Sequence, residues 1–174
     1  MGYTIFDVDR ILRNMVVVYD TREQNTPALR KRLKDFNRSR RLKLDYGDYT
    51  AGYEDLDGTF VTLKDKVVIE RKMSLDELCA CFTSGRDRFQ REFERAKADK
   101  AKIHMVVENG SYEKMFSGSY RSKFHPNAFI ASYLAWSARY NIQLHFCKPE
   151  TTGKLIYKIL YYELKEVLEA GAGI

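Results

Sequence analysis

The chain has 174 residues, 44% of them hydrophobic and 31% charged, enough apolar material for one globular core. Thirty Lys and Arg against 24 Asp and Glu leave a net charge of +6, which favours an anionic partner, nucleic acid before membrane. Three cysteines make no disulfide framework, no stretch resembles a signal peptide, and no apolar run is long enough to span a bilayer, so a cytoplasmic protein is expected.

In chain order, residues 7–14 read as a short helix, and "MVVVY" (15–19) as a buried strand. Thr26-Pro27 is a helix-start signal, followed by Leu29, Leu33 and Phe36 at helical spacing. Strand patterns follow at 41–53, 59–64 and 66–71, and the Asp57-Gly58 turn pairs the first two antiparallel. Ser74 with Glu77 has the form of a capping box, opening a helix that carries Leu75, Leu78, Cys79 and Phe82 on one face and stops near Gly85. A charged helix runs from about Asp87 to Lys100, anchored by Phe89 and Phe93. Residues 102–108 read as a buried strand, 109–126 as a long Gly- and Ser-containing loop, 126–140 as a helix and 142–147 as a last strand. An amphipathic helix over 153–170 closes the chain. Helices interleaved with strands around a hairpin predict an α/β/α sandwich on a mixed sheet, one domain over 1–174 with 1–14 as a short N-terminal extension.

The chemistry-bearing residues cluster at predicted strand ends. Asp20 ends the first strand and Glu23 follows in the turn; Asp48 lies in "DYGDYT"; Glu70 ends the third strand of the meander; Asp76 opens the next helix. Each alone is an ordinary solvated carboxylate or a first-turn helix charge. Brought together they would repel one another unless a cation lay between them, and hard oxygen ligands suit Mg²⁺ or Mn²⁺ rather than zinc. Cys79 and Cys81 point to different faces of a helix and the three histidines are scattered, so no zinc site is expected. On an extended strand Glu70 and Lys72 share a face, which sets an ammonium beside a metal-ligating carboxylate. Lys72 could then orient an attacking water or neutralise charge on a phosphate, while Arg71 faces the other way and could fix a neighbouring carboxylate. An Asp followed about twenty residues later by Glu-x-Lys is the bare PD-(D/E)xK nuclease pattern.

"VVVYDTRE", "LDYGDYT", "VVIERKMSLDEL" and "FTSGRDRFQREFERA" occur in the order seen in XPF-type (XPF/Hef-like) structure-specific nucleases, and residues 15–110 resemble that family well. Its core signature falls on Gly47-Asp48, Glu70-Arg71-Lys72 and Asp76, with Asp20 and Glu23 upstream and Gly85, Arg86 and Gln90 downstream. The resemblance implies a restriction-endonuclease-like fold, divalent-metal-dependent cleavage of DNA, and pairing of nuclease domains. It makes Asp20, Asp48 and Glu70 the expected metal ligands, with the Arg71 carbonyl as a further one. Lys72 would assist the water, Glu23 and Asp76 would support the metal shell, and Arg86 and Gln90 would contact DNA or brace the site. The chain has no room for the helicase or helix-hairpin-helix domains of larger members, which fits a bacterial or phage protein. The resemblance also implies a preference for branched DNA.

For DNA itself the sequence offers the run that includes Arg38, Arg40 and Arg41, and the loop carrying Tyr112, Phe116, Tyr120, Arg121 and Lys123, where aromatics alternate with cations. The apolar stripe of the last helix, widened by Tyr157, Tyr161 and Tyr162, leaves surface for a homodimer through that helix and the one at 126–140. A DNA-binding subunit without catalysis, or an RNA-processing nuclease, are the alternatives.

Overall fold

A computed structural model describes residues 3–172. In chain order the elements are α1 (Ile5–Arg13), β1 (Val16–Asp20), α2 (Pro27–Leu33), β2 (Ser39–Leu42), β3 (Tyr49–Glu54), β4 (Phe60–Thr62) and β5 (Val67–Lys72). There follow α3 (Leu75–Phe82), α4 (Arg86–Ala98), β6 (Lys102–Glu108), α5 (Tyr112–Ser117), α6 (Pro126–Tyr140), β7 (Ile142–Cys147) and α7 (Thr152–Ala172). The strands make one mixed sheet in the order β2-β1-β3-β5-β6-β7, with β4 paired to β3. β3 runs antiparallel to β1 and β5, while β2 follows β1, and β6 and β7 follow β5, in parallel. The start of β3 therefore meets the C-terminal ends of β1 and β5.

Period-two alternation along the strands divides the core into two layers. Val68, Ile103, Met105 and Val107 face α3, α4 and α6, where Leu78, Phe93 and Trp136 are fully or almost fully buried. Val67, Ile69, Val106 and Ala51 face α1 and α7, packing with Leu12, Leu160 and Leu164. The α/β/α sandwich is the architecture expected from the pattern.

Four local expectations are corrected. Of the segment expected as an extension, residues 3–14 join the core: α1 starts at Ile5 behind a Thr4–Asp7 capping box and buries Val8, Ile11 and Leu12, while residues 1 and 2 lie outside the described residues. The strand expected over 41–53 is two strands that pair with opposite edges of β1, separated by a loop in which Gly47 takes φ +72°. A Cβ at Gly47 would lie 2.8 Å from Val68 Cβ, so only glycine lets this loop cross β5. Only half of the Ser74 capping box forms, because the Glu77 carboxylate accepts from Met73 N–H rather than from Ser74. The loop at 109–126 contains α5, capped by Ser111 and ended by Gly118 at φ +71°.

Candidate active site

The cleft of about 590 Å³ at the C-terminal end of β5 is lined by Glu23, Asp48, Glu70 and Lys72, with Arg88 and Glu92 from α4. Backbone bonds bind its walls together. Asp48 N–H donates to Ile69 O at 2.7 Å, and Asp20 N–H donates to Asp48 O at 2.9 Å. The Asp48 carboxylate in turn accepts from Arg71 N–H at 2.8 Å, so both the main chain and the side chain of Asp48 are registered on β5.

Glu70 and Lys72 point to the same side of β5 and are both buried. Their charges meet at 2.5 Å, and the Lys72 ammonium also lies over the Phe89 ring. Burial works against that ammonium, but the attraction of Glu70 prevails and holds its pKa above the ordinary lysine value. Asp48 is pushed the other way. Its burial, and then the negative charge of Glu70, raise its pKa well above the usual carboxylate range despite Lys72 and the Arg71 N–H. Glu92, buried on α4, is raised by burial and by Glu70 as well. The cleft lining thus gathers five carboxyl groups, Glu23, Asp48, Glu70, Glu77 and Glu92, beside four cationic ones, Arg22, Arg71, Lys72 and Arg88.

Arg71 faces the opposite layer and pairs with Glu108 at 3.3 Å, while Thr152 donates to the same Glu108 oxygen at 2.8 Å. The start of α7 is thereby joined to β5 and β6.

Two predicted site residues stand outside this group. Asp20 is 1% exposed and both of its oxygens are taken: one accepts from Arg22 N–H and Nε–H, the other from Leu44 N–H at 2.6 Å. The Arg22 hydrogen bonds, with that of Leu44, outweigh burial and hold its pKa below the ordinary value. Asp20 therefore fastens the turn after β1 instead of lining the cleft. Asp76 accepts from Arg121 and Ser122 N–H at 2.7 Å each, tying the segment after α5 to the first turn of α3. Among the described residues no three His, Cys, Asp or Glu side chains form a ready-made metal cluster.

The expected DNA contacts are dispersed. Arg86 is exposed at the start of α4, with its guanidinium 5.5 Å from the Trp136 ring centroid, and Gln90 lines a shallow groove with Arg91 and Arg95. Arg40 lies over Phe60 on the sheet edge, and Arg38 borders a groove with Arg10 and Asn14 near the opposite end of β1. Arg41 donates to the carbonyls of Thr21 and Glu23. The side chain of Arg121 is 92% exposed, and Lys123 is exposed nearby.

Sequence reading missed Arg22, Arg32, Tyr49, Phe89 and Glu92 as parts of this region. A signal existed for two of them. Arg32 falls in the stripe Leu29, Leu33, Phe36, and Glu92 in the stripe Phe89, Phe93, Ala96, each a charge where helical spacing calls for an apolar residue.

Residues 19–159 match the family model described as the ERCC4 domain. None of the curated proteins matches the chain. Among solved structures, XPF from Aeropyrum pernix superposes with a TM-score of 0.60 at 20% identity, over 85% of this chain and 61% of that one. XPF from Aeropyrum pernix in complex with DNA gives 0.60 and 20%, over 87% and 66%. The chain spans less than two thirds of the length of either, and at this identity the likeness is one of fold.

Proposed function

The chain belongs to the ERCC4 domain family, with the fold of an XPF-type nuclease domain, and on that premise we propose that it is a divalent-metal-dependent DNA endonuclease. The observation that carries the reading is the convergence on one cleft of Glu70 and Lys72 from β5 and of Asp48 from the loop that leads into the antiparallel β3. The carboxylate oxygens gathered there are donors that fit a hard cation. Mg²⁺ and Mn²⁺ suit these oxygen donors, and Mg²⁺ commonly takes only one or two protein carboxylates while keeping several waters, so a three-carboxylate cage is not required. Asp48 and Glu70 would hold the ion, with the Arg71 carbonyl beside them. When bound, such an ion polarises a phosphoryl oxygen and makes a water more acidic.

The protein's own groups supply the rest. Lys72, kept charged by Glu70, opposes negative charge developing on the scissile phosphate. Arg88, exposed at the mouth, offers a phosphate contact that orients the strand entering the cleft. The complex of a structural relative with DNA supports DNA as the substrate. A preference for branched DNA belongs to the same proposal, as does a homodimer through α6 and α7, where Leu134 and Tyr162 are exposed.

The test is cleavage of labelled branched, duplex and single-stranded DNAs with Mg²⁺, Mn²⁺ or EDTA. Metal-dependent cutting, lost in Asp48→Asn and Glu70→Gln with DNA binding retained, is the expected result. Full activity in both variants would overturn the assignment.

A further inference from the structure

Glu23 is gripped from behind. Its Oε2 accepts from Arg32 Nη2–H at 3.1 Å and from the Tyr49 hydroxyl at 3.0 Å, while Arg32 Nε–H donates to the Tyr49 oxygen at 3.0 Å. The three groups close a ring of hydrogen bonds. Arg32 and Tyr49 are both buried, and neither lines the cleft. Arg41 holds the main chain of the same turn through Thr21 O and Glu23 O, the latter at 3.3 Å. Glu23 itself lines the cleft with Asp48 and Glu70, and both of its side-chain hydrogen bonds to Arg32 and Tyr49 fall on Oε2, not on Oε1.

Stability gives little reason for this arrangement. Arg32 interrupts an otherwise apolar stripe of α2, and replacing a buried ion pair by well-packed apolar groups is often neutral or stabilising. A guanidinium with two donors on two partners does, however, fix direction, which a hydrophobic residue cannot. Tyr49 adds a second donor from a neighbouring strand, so the carboxylate is held from α2 and β3 at once.

We propose that Arg32 and Tyr49 are positioning residues for Glu23, tying down one carboxylate oxygen so that the other is presented to the cleft as a fixed acceptor for a hydrated divalent cation. The inference rests on the nuclease reading for its cation but assigns roles to residues outside the Gly-Asp and Glu-Arg-Lys signature. Arg41, expected to meet phosphate, serves in the same device by holding the turn.

The experiment measures Mn²⁺ binding, from the free-ion signal in electron paramagnetic resonance, beside DNA cleavage. It uses Arg32→Met, Tyr49→Phe, Glu23→Gln and the double variant Glu23→Gln/Arg32→Met. Loss of a group that orients a metal's surroundings typically weakens the ion by about tenfold or more. Arg32→Met is expected to show that loss, with a lower kcat and an unchanged KM for DNA. Tyr49→Phe, which removes a single hydroxyl, should show a smaller loss with no change in the circular dichroism spectrum. In the Glu23→Gln background, Arg32→Met should add nothing, because its effect passes through Glu23. Wild-type Mn²⁺ affinity in both Arg32→Met and Tyr49→Phe, or losses that multiply in the double variant, would overturn the inference while leaving the nuclease reading in place. Wild-type protein that binds Mn²⁺ with this dependence but cuts no DNA would overturn the nuclease reading and leave the positioning of Glu23 standing.

Discussion

The ammonium of Lys72 lies 4.1 Å from the centroid of the Phe89 ring, so an aromatic face from α4 completes the surroundings of a charge carried by β5. A cation over a ring in a desolvated place gains about 0.5–2 kcal/mol. Phe89→Leu keeps an apolar side chain but removes that face, and a loss near the middle of the range slows single-turnover cleavage about eightfold. Lys72→Met is expected to abolish cleavage with DNA affinity retained. An undiminished rate in Phe89→Leu, read from quenched-flow time courses, would remove the ring from the account.

Asp48 gives a stability prediction with a definite sign. A carboxyl whose folded pKa is raised binds its proton more tightly in the fold than in the unfolded chain. Stability therefore falls as pH climbs above the unfolded value, about 3.9, and the full deficit is present above the folded pKa. Asp48→Asn cannot ionise and still offers Arg71 N–H an acceptor, so in EDTA at neutral pH it should melt higher than wild type, by about 2–4 °C per kcal/mol recovered. The gap should close towards pH 4. A lower melting temperature for the variant at neutral pH would contradict the electrostatic account of the cleft.

On the sheet edge, Arg38 and Arg40 are exposed, whereas Arg41 is engaged with the turn that bears Glu23. Replacing Arg38 and Arg40 by Gln should lower affinity for every DNA tested. The slope of log affinity against log salt should shrink by about 0.9 for each phosphate no longer neutralised, while the rate at saturating DNA stays unchanged. Filter binding across a salt series reads the affinity and its slope, and cleavage at saturating DNA reads the rate. An unaltered slope would mean that this edge is simply solvated.

The far end of the sheet carries a separate acid-sensitive group. His104 Nδ1 lies 2.9 Å from His145 Nε2, and His104 Nε2 lies 2.9 Å from Glu163 on α7, which also accepts from Lys102. Burial, then His104, depress the His145 pKa, so the fold favours its neutral form. Its contribution is complete above the unfolded value, about 6.5, and is lost as pH falls towards the folded pKa. The bonds from His104 and Lys102 depress Glu163 despite its burial, and that contribution is lost only below about 4.3, as pH falls through its folded pKa. Between pH 7.5 and 5.5, His145→Gln should therefore lose less stability than wild type in urea melts. Parallel curves over that interval would refute the assignment.

For assembly, Tyr162 on α7 is 56% exposed and Leu134 on α6 is 55% exposed. If these helices form the two-fold contact, wild-type protein should sediment at twice the monomer mass at about 50 µM, within reach of a micromolar interface. The Leu134→Glu/Tyr162→Glu variant should sediment as a monomer with an unchanged circular dichroism spectrum. A monomeric wild type at that concentration would end the dimer proposal.

Much of the architecture was legible because its signals are local. β-branched runs marked β1, β5 and β6, and Thr26-Pro27 and Pro126 marked helix starts. Period two alone set Glu70 and Lys72 on one face, with Arg71 on the other. What escaped depends on neighbours remote in the chain. Nothing near Asp20 shows that Leu44 N–H will occupy its second oxygen, nor does anything near Asp76 show that the segment at Arg121 will fold back to it. The helix α5 was obscured by its glycines and serines, although Ser111 and Gly118 are the very residues that begin and end it. Glu163 repeats the lesson of Arg32 and Glu92. It sits between Ile159, Leu160 and Leu164 in a predicted apolar stripe, and it too meets polar partners on the sheet.

Because β3 leaves the cleft and β4 returns towards it, the Asp55–Thr59 connection lies at the other end of the sheet. Gly58 there takes φ +83° with open space around it, and Asp57 is exposed. New chain termini, a fluorophore or a tethered recognition module placed between these two residues would remain remote from the cleft while being joined directly to the strand that follows Asp48. The hairpin is accordingly a natural port for engineering, from which the protein could be carried to a chosen DNA without altering the residues that line its cleft.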